Sequence, residues 1–470
     1  MYDHLSRQIR RSQFHHLMLK FSIISAIYSL LTRRTIAFVP MRSTRSPFSK
    51  DFGMMSTASI STSLNAEYTL ASFLTSTPPE SNLYHITLGN EAGDADSIIS
   101  SLSLSYVNSL SMKDSRITLL PLVSINRDDL PLRRDVMLIL EMAGICVETL
   151  VYLDDEMFAS IANDNSIRKE ITLVDHNKLK SDLWNLKDDV VEIIDHHQDE
   201  GEHQSVMGEL RKIGFDGNAA LVGSTCTLIS ERLMESGKNN DIDAGLGLVL
   251  LSVILLDTMN MSGDAGKGTM RDKNAIEFLI SHTEWDNLEV GEETREKIYD
   301  TQSGPPCRKR LYEYLRDSKF DPEFWKAMRP RDALRIDYKR FESSSGSNSA
   351  FGLASVLLDM NDLLAKNGFY EDAIAYMSEA DIDLLGVLTM VIVNDKPQRG
   401  LLLVGTVTQV NSMTEFLLHS DAASYLEVTK ANDDVELGSG IIAVILKQGN
   451  PKGSRKQVAP VMQMKGLEKI

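Results

Sequence analysis

The chain has 470 residues, of which 43% are apolar and 24% are charged, and its formal net charge is −17 at pH 7. This length and composition fit two or three globular domains. Three cysteines without a Cys-x-x-Cys pair exclude a disulfide framework and a cysteine-based zinc site. The acidic charge argues against nucleic acid as a partner. A polyanion-handling enzyme stays open if its carboxylates hold divalent cations.

The first fifty residues are basic. Residues 4–50 contain nine Lys and Arg, no Asp or Glu, and the apolar run Phe21–Leu31. This run is too short to span a bilayer, which takes roughly 20 residues. The pattern predicts a cleaved targeting segment within residues 1–75 and no membrane segment in the mature protein. Ala37–Pro40 resembles the presequences of secondary plastids, which favours a plastid over a mitochondrion. The alternative is a cytoplasmic protein with a disordered extension.

From residue 83 onwards, short apolar runs alternate with helical patterns. This alternation predicts an α/β domain with a doubly wound, mainly parallel sheet over residues 80–285. The predicted strands are Tyr84–Leu88, Ile117–Val123, Thr149–Leu153, Ile171–Val174 and Val190–Ile194. The predicted helices are Ser97–Leu110, Arg133–Ala143, Ser224–Glu235 and Ala244–Leu256.

A polar stretch around residues 282–308 marks the boundary to a second, smaller domain over residues 300–470. We predict that this domain is also α/β, with a mixed sheet. Its predicted elements are a helix over Ala350–Asn367, a flexible loop at Ser343–Asn348, and strands over Val387–Val393, Leu401–Val404 and Ile441–Leu446.

Four acidic clusters lie where predicted strands or helices end. They are Asn90 to Asp96 after the first strand, Asp175-His176-Asn177 after the fourth, Asp195-His196-His197 after the fifth, and Asp257 at the end of an apolar helix. Ligands bind outside the carboxyl ends of parallel strands, so the first three clusters should meet in one crevice. A single Asp at a strand end is often only a helix cap. Four ordered clusters are hard to attribute to capping and predict a metal site.

Carboxylates gathered in one crevice repel each other unless a cation neutralises them. Their number suits two ions, with Asp94 and Asp96 each serving one ion and Asp175 as the candidate bridge. His196 and Asp257 would complete the second ion. A set rich in carboxylates and poor in histidine favours Mg²⁺ or Mn²⁺.

In this order, the clusters resemble the signature of the DHH phosphoesterase superfamily, which includes family II inorganic pyrophosphatases, exopolyphosphatases and Prune-type proteins. The resemblance runs from about Asn82 to the C-terminus. The metal ligands that it implies are Asp94, Asp96, Asp175, His196 and Asp257. It also implies that His197 faces the substrate phosphate, so that Asp175 and His197 take part in catalysis.

Asn90 distinguishes the branches of this family. Family II pyrophosphatases carry His at this position, whereas Gly89-Asn90-Glu91 resembles the exopolyphosphatase and Prune-type branch. The amide of Asn90 would be a weak ligand that holds the first metal ion loosely. Leu130–Arg133 and Leu256–Met261 also resemble Prune-type sequences. The complete Asp-His-His favours a working hydrolase over a degenerate scaffold.

The second domain resembles the substrate-binding domain of the same branch. Its marker is Ser454-Arg455-Lys456-Gln457, whose basic pair grips the phosphates in relatives, and Lys267 and Lys339 match weaker basic positions. Alone, Arg455-Lys456 would be a solvated basic turn; within this pattern, phosphate binding is the better interpretation. The candidate cations of a groove for longer chains are Arg127, Arg133, Arg134, Lys178, Lys180, Arg271, Lys273 and Arg335.

The resemblance therefore implies a hydrolase of phosphoanhydride bonds. It would release terminal orthophosphate from inorganic polyphosphate, using water activated by two Mg²⁺ or Mn²⁺ ions. The alternatives are an inorganic pyrophosphatase or nucleotide phosphodiesterase with the same metals, and a Prune-like interaction protein with residual activity. The net charge disfavours a nuclease of the same superfamily.

Overall fold

The computed structural model describes residues 68–465, except for positions 77, 113, 115, 218, 238–241, 264–266, 302, 343–349 and 395. The predicted targeting segment lies outside the described residues up to residue 67, as does the predicted loop Ser343–Asn348. Leu70–Thr75, which the prediction assigns to the targeting segment, instead forms helix α1, and its Leu70 and Leu74 are buried in the first core. None of the described helices is long and apolar enough to cross a membrane.

Six strands form the first sheet. They are β1 Leu83–Leu88, β2 Thr118–Val123, β3 Val151–Tyr152, β4 Arg168–Val174, β5 Val190–Asp195 and β6 Arg211–Ile213. All neighbouring strands run parallel, in the spatial order β3-β2-β1-β4-β5-β6. This arrangement confirms the predicted doubly wound fold. A small hairpin follows, with strands β7 Phe215–Asp216 and β8 Ala219–Ala220.

The strand order of the first sheet reverses at β1, which lies between β2 and β4. At such a switch point the connections after neighbouring strands leave towards opposite faces of the sheet, and a crevice opens between them. The loop after β1 carries Asp94, and the residue directly after β4 is Asp175. The topology therefore places both residues at one crevice.

Helices and short 3-10 turns surround this sheet. The helices are α2 Ala95–Ser111, α3 Arg134–Met142, α4 Glu156–Asn163, α5 Thr225–Glu235, α6 Ala244–Asp257, α7 Met270–His282, α8 Glu292–Ile298 and α9 Arg308–Lys319, and the longer 3-10 turns are Arg127–Leu132 and Ser181–Asp189. Helix α6 is buried along nearly its whole length, because it is apolar on every face. Its last residue is Asp257.

The polar stretch that the sequence marks as a domain boundary packs on the first core. Trp285, Ile298 and Leu311 are buried in that core, and α9 contacts both α3 and α6. The exact division between the two domains therefore stays a prediction, although each sheet has its own apolar core.

The second sheet is mixed, as predicted. Its strands are β9 Tyr338–Glu342, β10 Ala350–Val356, β11 Leu384–Val393, β12 Lys396–Thr406, β13 Val428–Lys430, β14 Val435–Gly438 and β15 Ile441–Gln448. The order is β13-β15-β12-β11-β10-β9, with β14 also paired to β15. Strands β10 and β11 run parallel, and the other pairs run antiparallel. The helices that follow α9 are α10 Pro322–Ala327, α11 Pro330–Arg335, α12 Met360–Leu364, α13 Phe369–Glu379, α14 Val407–His419 and α15 Arg455–Met464.

The helix predicted over Ala350–Asn367 is wrong for its first half. Ala350–Val356 forms β10, and only the short helix α12 follows within the predicted range. Phe351 packs into the apolar cluster on one face of the sheet and Ala354 into the cluster on the other. A short run that is apolar on both faces has no periodicity that distinguishes a strand from a helix.

Candidate metal centre

The four acidic clusters converge at the crevice between β1 and β4. Nε2 of His196 lies 3.6 Å from Oδ2 of Asp96 and 3.4 Å from Oδ1 of Asp175. Burial, and then the charges of Asp96 and Asp94, raise the pKa of Asp257 well above its ordinary value. The loops after three parallel strands and the end of one helix thus bring the five predicted acidic and imidazole ligands together.

Asp175 has a strained backbone conformation. Its φ of 62° lies in the left-handed region, which residues with a Cβ atom rarely adopt. The residue is 2% exposed. Its Oδ2 accepts a hydrogen bond from Nδ2 of Asn90 at 2.6 Å, and its Oδ1 accepts one from Oγ1 of Thr225 at 3.4 Å. Backbone strain of this kind clusters at functional sites.

The beginning of α5 fixes the carboxylate of Asp96. Oδ1 accepts hydrogen bonds from the hydroxyl of Ser224 at 2.8 Å and from N–H of Cys226 at 3.0 Å, and Oδ2 accepts one from N–H of Thr225 at 2.7 Å. The unpaired N–H groups of a helix N-terminus stabilise a negative charge. They hold Asp96 with Oδ2 directed towards His196.

His196 presents Nε2 to the crevice. Its Nδ1 lies 3.4 Å from the carbonyl oxygen of Val222. A neutral imidazole that donates from Nδ1 to this carbonyl keeps the Nε2 lone pair for a cation. Asp175, His196 and His197 each offer a ligand atom, and these atoms lie within 4.8 Å of one another. The structure therefore contains a three-residue group that can hold a metal ion.

The carboxylates of Asp257 and Asp175 also indicate a metal site. Oδ2 of Asp257 is buried and has no hydrogen-bond partner among the described residues. Burial first, and the charge of Asp96 second, raise the pKa of Asp175 and of Asp257 well above the ordinary value. An unpartnered buried oxygen and mutual repulsion both destabilise the protein, and a bound divalent cation removes both effects. These residues therefore fit a metal.

Asn90, which the sequence analysis assigns as a weak metal ligand, has a different role. Its Oδ1 accepts hydrogen bonds from N–H of Ala92 at 2.8 Å and of Gly93 at 3.2 Å. Its Nδ2 donates to Asp175. An amide offers a metal only its oxygen, and both lone pairs of this oxygen are already used. Asn90 thus orients the carboxylate of Asp175 rather than binding metal.

Asp195 orients His197. Nδ1 of His197 lies 2.8 Å from Oδ1 of Asp195, whose Oδ2 accepts a hydrogen bond from Nδ2 of Asn177 at 2.7 Å. Burial, and then the charge of Lys456, lower the pKa of His197 to about 3. His197 is therefore neutral at pH 7, with Nδ1–H donated to Asp195 and the Nε2 lone pair free as an acceptor.

Three lysines surround the carboxylates, and each lacks a carboxylate partner within 4 Å among the described residues. The effect of Lys456 on His197 places it beside the centre. Burial lowers the pKa of Lys267, and Asp257 is the residue that opposes this shift most. Lys339 is the cation that most opposes the raised pKa of Glu91. These lysines are available to an anionic substrate.

Arg455 is already paired within the protein. Its Nη1 donates to the carbonyl oxygen of Asp337 at 2.7 Å, and its Nη2 lies 2.7 Å from Oδ1 of the same residue. Lys456, next to it at the beginning of α15, has no carboxylate partner within 4 Å in the part of the chain that the structure describes. The two members of the predicted phosphate-binding pair therefore differ in how they are held.

The eight groove cations are not free. Seven of them form ion pairs, namely Arg127 with Asp155, Arg134 with Asp321, Lys178 with Glu200 and Glu202, Lys180 with Asp182, Arg271 with Glu231, Lys273 with Glu277 and Arg335 with Asp129 and Asp332. The eighth, Arg133, is buried. A basic groove built from these residues is therefore not supported, because neighbouring carboxylates neutralise them.

Sequence reasoning missed two residues near the centre. Lys319, at the end of α9, pairs with Asp135 at 2.9 Å, and its pKa is further raised by Asp94 and Asp257. Arg399, on β12, is half-buried and pairs with no described carboxylate; Lys267 is close enough to be affected by its charge. Both residues lie in ordinary polar stretches, outside the motifs that resemble the family, so the sequence held no specific signal for them.

Comparison with known proteins agrees with this geometry. Residues 86–254 match the N-terminal domain of the DHH family, and residues 322–464 match the DHHA2 domain. Exopolyphosphatase PRUNE1 of Rattus norvegicus is 25% identical over 390 residues, covering 82% of this chain and 76% of its own. A Schizosaccharomyces pombe protein assigned as an exopolyphosphatase is 27% identical over 386 residues, covering 80% and 88%. A crystal structure from Methanococcus jannaschii, assigned to the family II inorganic pyrophosphatases, has a TM-score of 0.50 and 18% identity, covering 82% of this chain and 100% of its own.

The chain belongs to the DHH phosphoesterase superfamily and, within it, to the Prune-type branch. It is a hydrolase that acts on phosphoanhydride bonds and depends on divalent metal. Asp175, His196 and His197 form a candidate group for holding such an ion.

Proposed function

We propose that this protein is an exopolyphosphatase that releases terminal orthophosphate with the help of two divalent cations, Mg²⁺ or Mn²⁺. The observation that carries the proposal is the pairing of opposite charges across one crevice. Buried carboxylates that need a cation lie beside Lys456, Lys267 and Lys339, which need an anion. A metal-bound phosphate chain satisfies both sets.

The protein supplies ligands of suitable type for two ions. The residues that would hold them are Asp94, Asp96, Asp175, His196 and Asp257. Oxygen-rich sets of this kind suit Mg²⁺ or Mn²⁺. When bound, the ions would polarise the phosphoryl oxygens and lower the pKa of an attacking water. Asn90 and the beginning of α5 keep the carboxylates in place, so that little reorganisation is needed during the reaction.

His197 acts on the substrate side of the centre. Because Asp195 fixes its Nδ1–H, the Nε2 atom accepts a hydrogen bond from the attacking water or from a protonated phosphate oxygen. Its low pKa makes His197 a poor proton donor before substrate binds. A role as acid would require the negative charge of bound phosphate to raise that pKa.

Inorganic pyrophosphate is the second candidate substrate. The ion pairs of the predicted groove cations favour it, because they leave few free charges for a long chain. A purely interacting protein is disfavoured, since a scaffold does not need buried carboxylates that repel each other.

Phosphate release by the full-length protein tests the proposal. The substrates would be pyrophosphate, tripolyphosphate, polyphosphates of graded length and a cyclic nucleotide, each with Mg²⁺ or Mn²⁺. Hydrolysis of the cyclic nucleotide would be followed by formation of the nucleoside monophosphate, because it releases no orthophosphate. We expect orthophosphate from the polyphosphates, and loss of this activity in Asp175→Asn. Hydrolysis of the cyclic nucleotide alone, or equal phosphate release by Asp175→Asn, would contradict the proposal.

A further inference from the structure

Arg133 is a buried cation that the proposed reaction does not use. It is 7% exposed, and its Nη2 donates a hydrogen bond to the carbonyl oxygen of Ala92. Its Nε is buried and has no partner among the described residues. A buried guanidinium with an unpaired donor destabilises a protein, so its presence calls for another explanation.

The hydrogen bond to Ala92 holds the loop that supplies Asp94 and Asp96. The N–H groups on the other side of this turn, those of Ala92 and Gly93, donate to Oδ1 of Asn90. Arg133 is therefore a second attachment of the metal-binding loop, and it comes from a different part of the chain.

The residues next to Arg133 contact the second domain. Leu132 packs against the apolar cluster that contains Ile336. Asp129 forms an ion pair with Arg335. The segment before Arg133 thus lies directly against the segment that ends in Asp337.

Asp337 pairs with Arg455 and carries a charge that acts on Arg133. Arg455 donates to the carbonyl oxygen of Asp337 and places Nη2 2.7 Å from its Oδ1. The ion pair between Asp129 and Arg335 brings the segment of Arg133 against the segment of Asp337. Burial lowers the pKa of Arg133, and among the carboxylates that oppose this shift Asp337 acts most strongly. Asp337 therefore holds one guanidinium on the phosphate side and attracts a second one on the metal side.

We propose that Arg133 and Asp337 are positioning residues that fix Arg455 relative to the metal-binding loop. Arg133 holds the metal-binding loop at Ala92, Asp337 holds Arg455, and the attraction between Arg133 and Asp337 keeps that loop and the guanidinium of Arg455 at a fixed distance. Neither Arg133 nor Asp337 touches the reacting atoms. This inference rests on the proposed function and adds Arg455 to the three lysines as a phosphate contact, as the resemblance at Ser454-Arg455-Lys456-Gln457 implies.

Double-mutant cycles in the full-length protein test this proposal. KM for tripolyphosphate would be measured at saturating Mn²⁺ for Asp337→Asn alone and combined with Arg455→Ala. Loss of one charge-assisted contact should raise KM about tenfold in the wild-type background. In the Arg455→Ala background the further rise should be under about twofold, because the residue that Asp337 positions is gone. Lys456→Ala is the matched control, and there the rise of about tenfold should persist.

Arg133→Lys should repeat this pattern, since it keeps the charge but loses the planar fork. Thermal unfolding would verify that Arg133→Lys folds. If it does not fold, the test depends on Asp337→Asn alone, which is expected to fold because Asp337 is less buried than Arg133. An equal KM rise in the wild-type and Arg455→Ala backgrounds would overturn the proposal.

If wild type hydrolyses neither tripolyphosphate nor pyrophosphate, the proposed function fails by itself. The same cycle is then measured on Mn²⁺-dependent binding of imidodiphosphate, where independent effects overturn the coupling.

Discussion

Oδ2 of Asp257 is buried without a hydrogen-bond partner among the described residues, and neighbouring carboxylates raise the pKa of this residue. In the metal-free protein, this charge is a source of instability. Asp257→Asn should therefore raise the free energy of unfolding in chelator by roughly 1–3 kcal/mol while abolishing hydrolysis. Thermal or urea unfolding with and without Mn²⁺ measures the first effect, and phosphate release measures the second.

Asp272 supplies the matched control for this prediction. It is fully buried, but it accepts hydrogen bonds from N–H of Gly223, from Oγ1 of Thr227 and from N–H of Thr269. Asp272→Asn should therefore lower stability, with or without metal. A loss of stability in chelator for Asp257→Asn as well would contradict the assignment of Asp257 as a metal ligand.

Two buried asparagines have different roles, because one orients a metal-binding carboxylate and the other orients the carboxylate that holds His197. Nδ2 of Asn90 donates to Asp175 at 2.6 Å, and Nδ2 of Asn177 donates to Asp195 at 2.7 Å. Asn90→Ala should weaken Mn²⁺ binding about 10–100-fold, because it releases a metal-binding carboxylate. Asn177→Ala should reduce kcat with little effect on Mn²⁺ affinity. Calorimetric titration with Mn²⁺ compares the two, and equal losses of affinity would disprove the division of roles.

The order of acidic residues along the chain was enough to predict which carboxylates meet at the crevice. It was not enough to predict what each side chain does there. Asn90 has the right type and place for a ligand, but its oxygen accepts two backbone N–H groups. The cation of Arg455 is likewise held by Asp337. Hydrogen-bond partners distant in sequence decide these roles, and one sequence does not contain them.

At the level of elements, the turn from β1 into α2 requires a glycine. Gly93 has a φ of 52°, and a Cβ atom there would lie 2.4 Å from Cγ2 of Ile125. Gly93→Ala should therefore displace the loop, lower the free energy of unfolding by roughly 1–3 kcal/mol and weaken Mn²⁺ binding.

Gly144 is the matched control for Gly93. It has a φ of 66°, but a Cβ there would meet no atom within 4 Å. Gly144→Ala should therefore cost only backbone strain, about 1 kcal/mol, and leave Mn²⁺ affinity unchanged. Unfolding and Mn²⁺ titration distinguish the two variants, and normal metal binding by Gly93→Ala would mean that the loop tolerates displacement.

Elements with a clear period or an end signal could be predicted from the sequence. The strands and helices around the metal centre lie within a few residues of their predicted bounds, because they alternate and end at polar clusters. Strand β10 could not be predicted, since apolar clusters cover both of its faces, and the helices that contact it are α11 before it and α15 far after it in the chain. Its identity depends on pairing with β9 and β11, which is a long-range property.

For the whole molecule, the distribution of charge matters more than its sum. The net charge is −17, yet free cations cluster at the crevice while cations further away pair with carboxylates. An anionic substrate is therefore attracted to a small region and not to an extended track. We therefore expect a long polyanion to bind at the crevice and not across the surrounding surface, where ion pairs neutralise the cations.

The last prediction concerns substrate length and follows from this distribution. The free cations Lys456, Lys267 and Lys339 can each add a charge-assisted contact to a bound phosphate, worth about 1–3 kcal/mol before ordering and desolvation are subtracted. We therefore expect kcat/KM to rise from pyrophosphate to tripolyphosphate and to level off within a few further phosphates. It should fall with added salt, more steeply for tripolyphosphate than for pyrophosphate.

Variants of single lysines test the origin of this length dependence. Lys456→Gln should remove much of the advantage of tripolyphosphate over pyrophosphate, about tenfold in kcat/KM. Lys178→Gln is the matched control, because Lys178 lies within 3.9 Å of Glu200 and Glu202 and is neutralised by them. If kcat/KM instead kept rising up to chains of about a hundred phosphates, the ion pairs on the surface would have to open for substrate, and Lys178→Gln would then reduce it. If pyrophosphate were the best substrate, the exopolyphosphatase proposal would be wrong, since the lysines would then contact only one leaving phosphate. The assignment of the metal centre would not be affected.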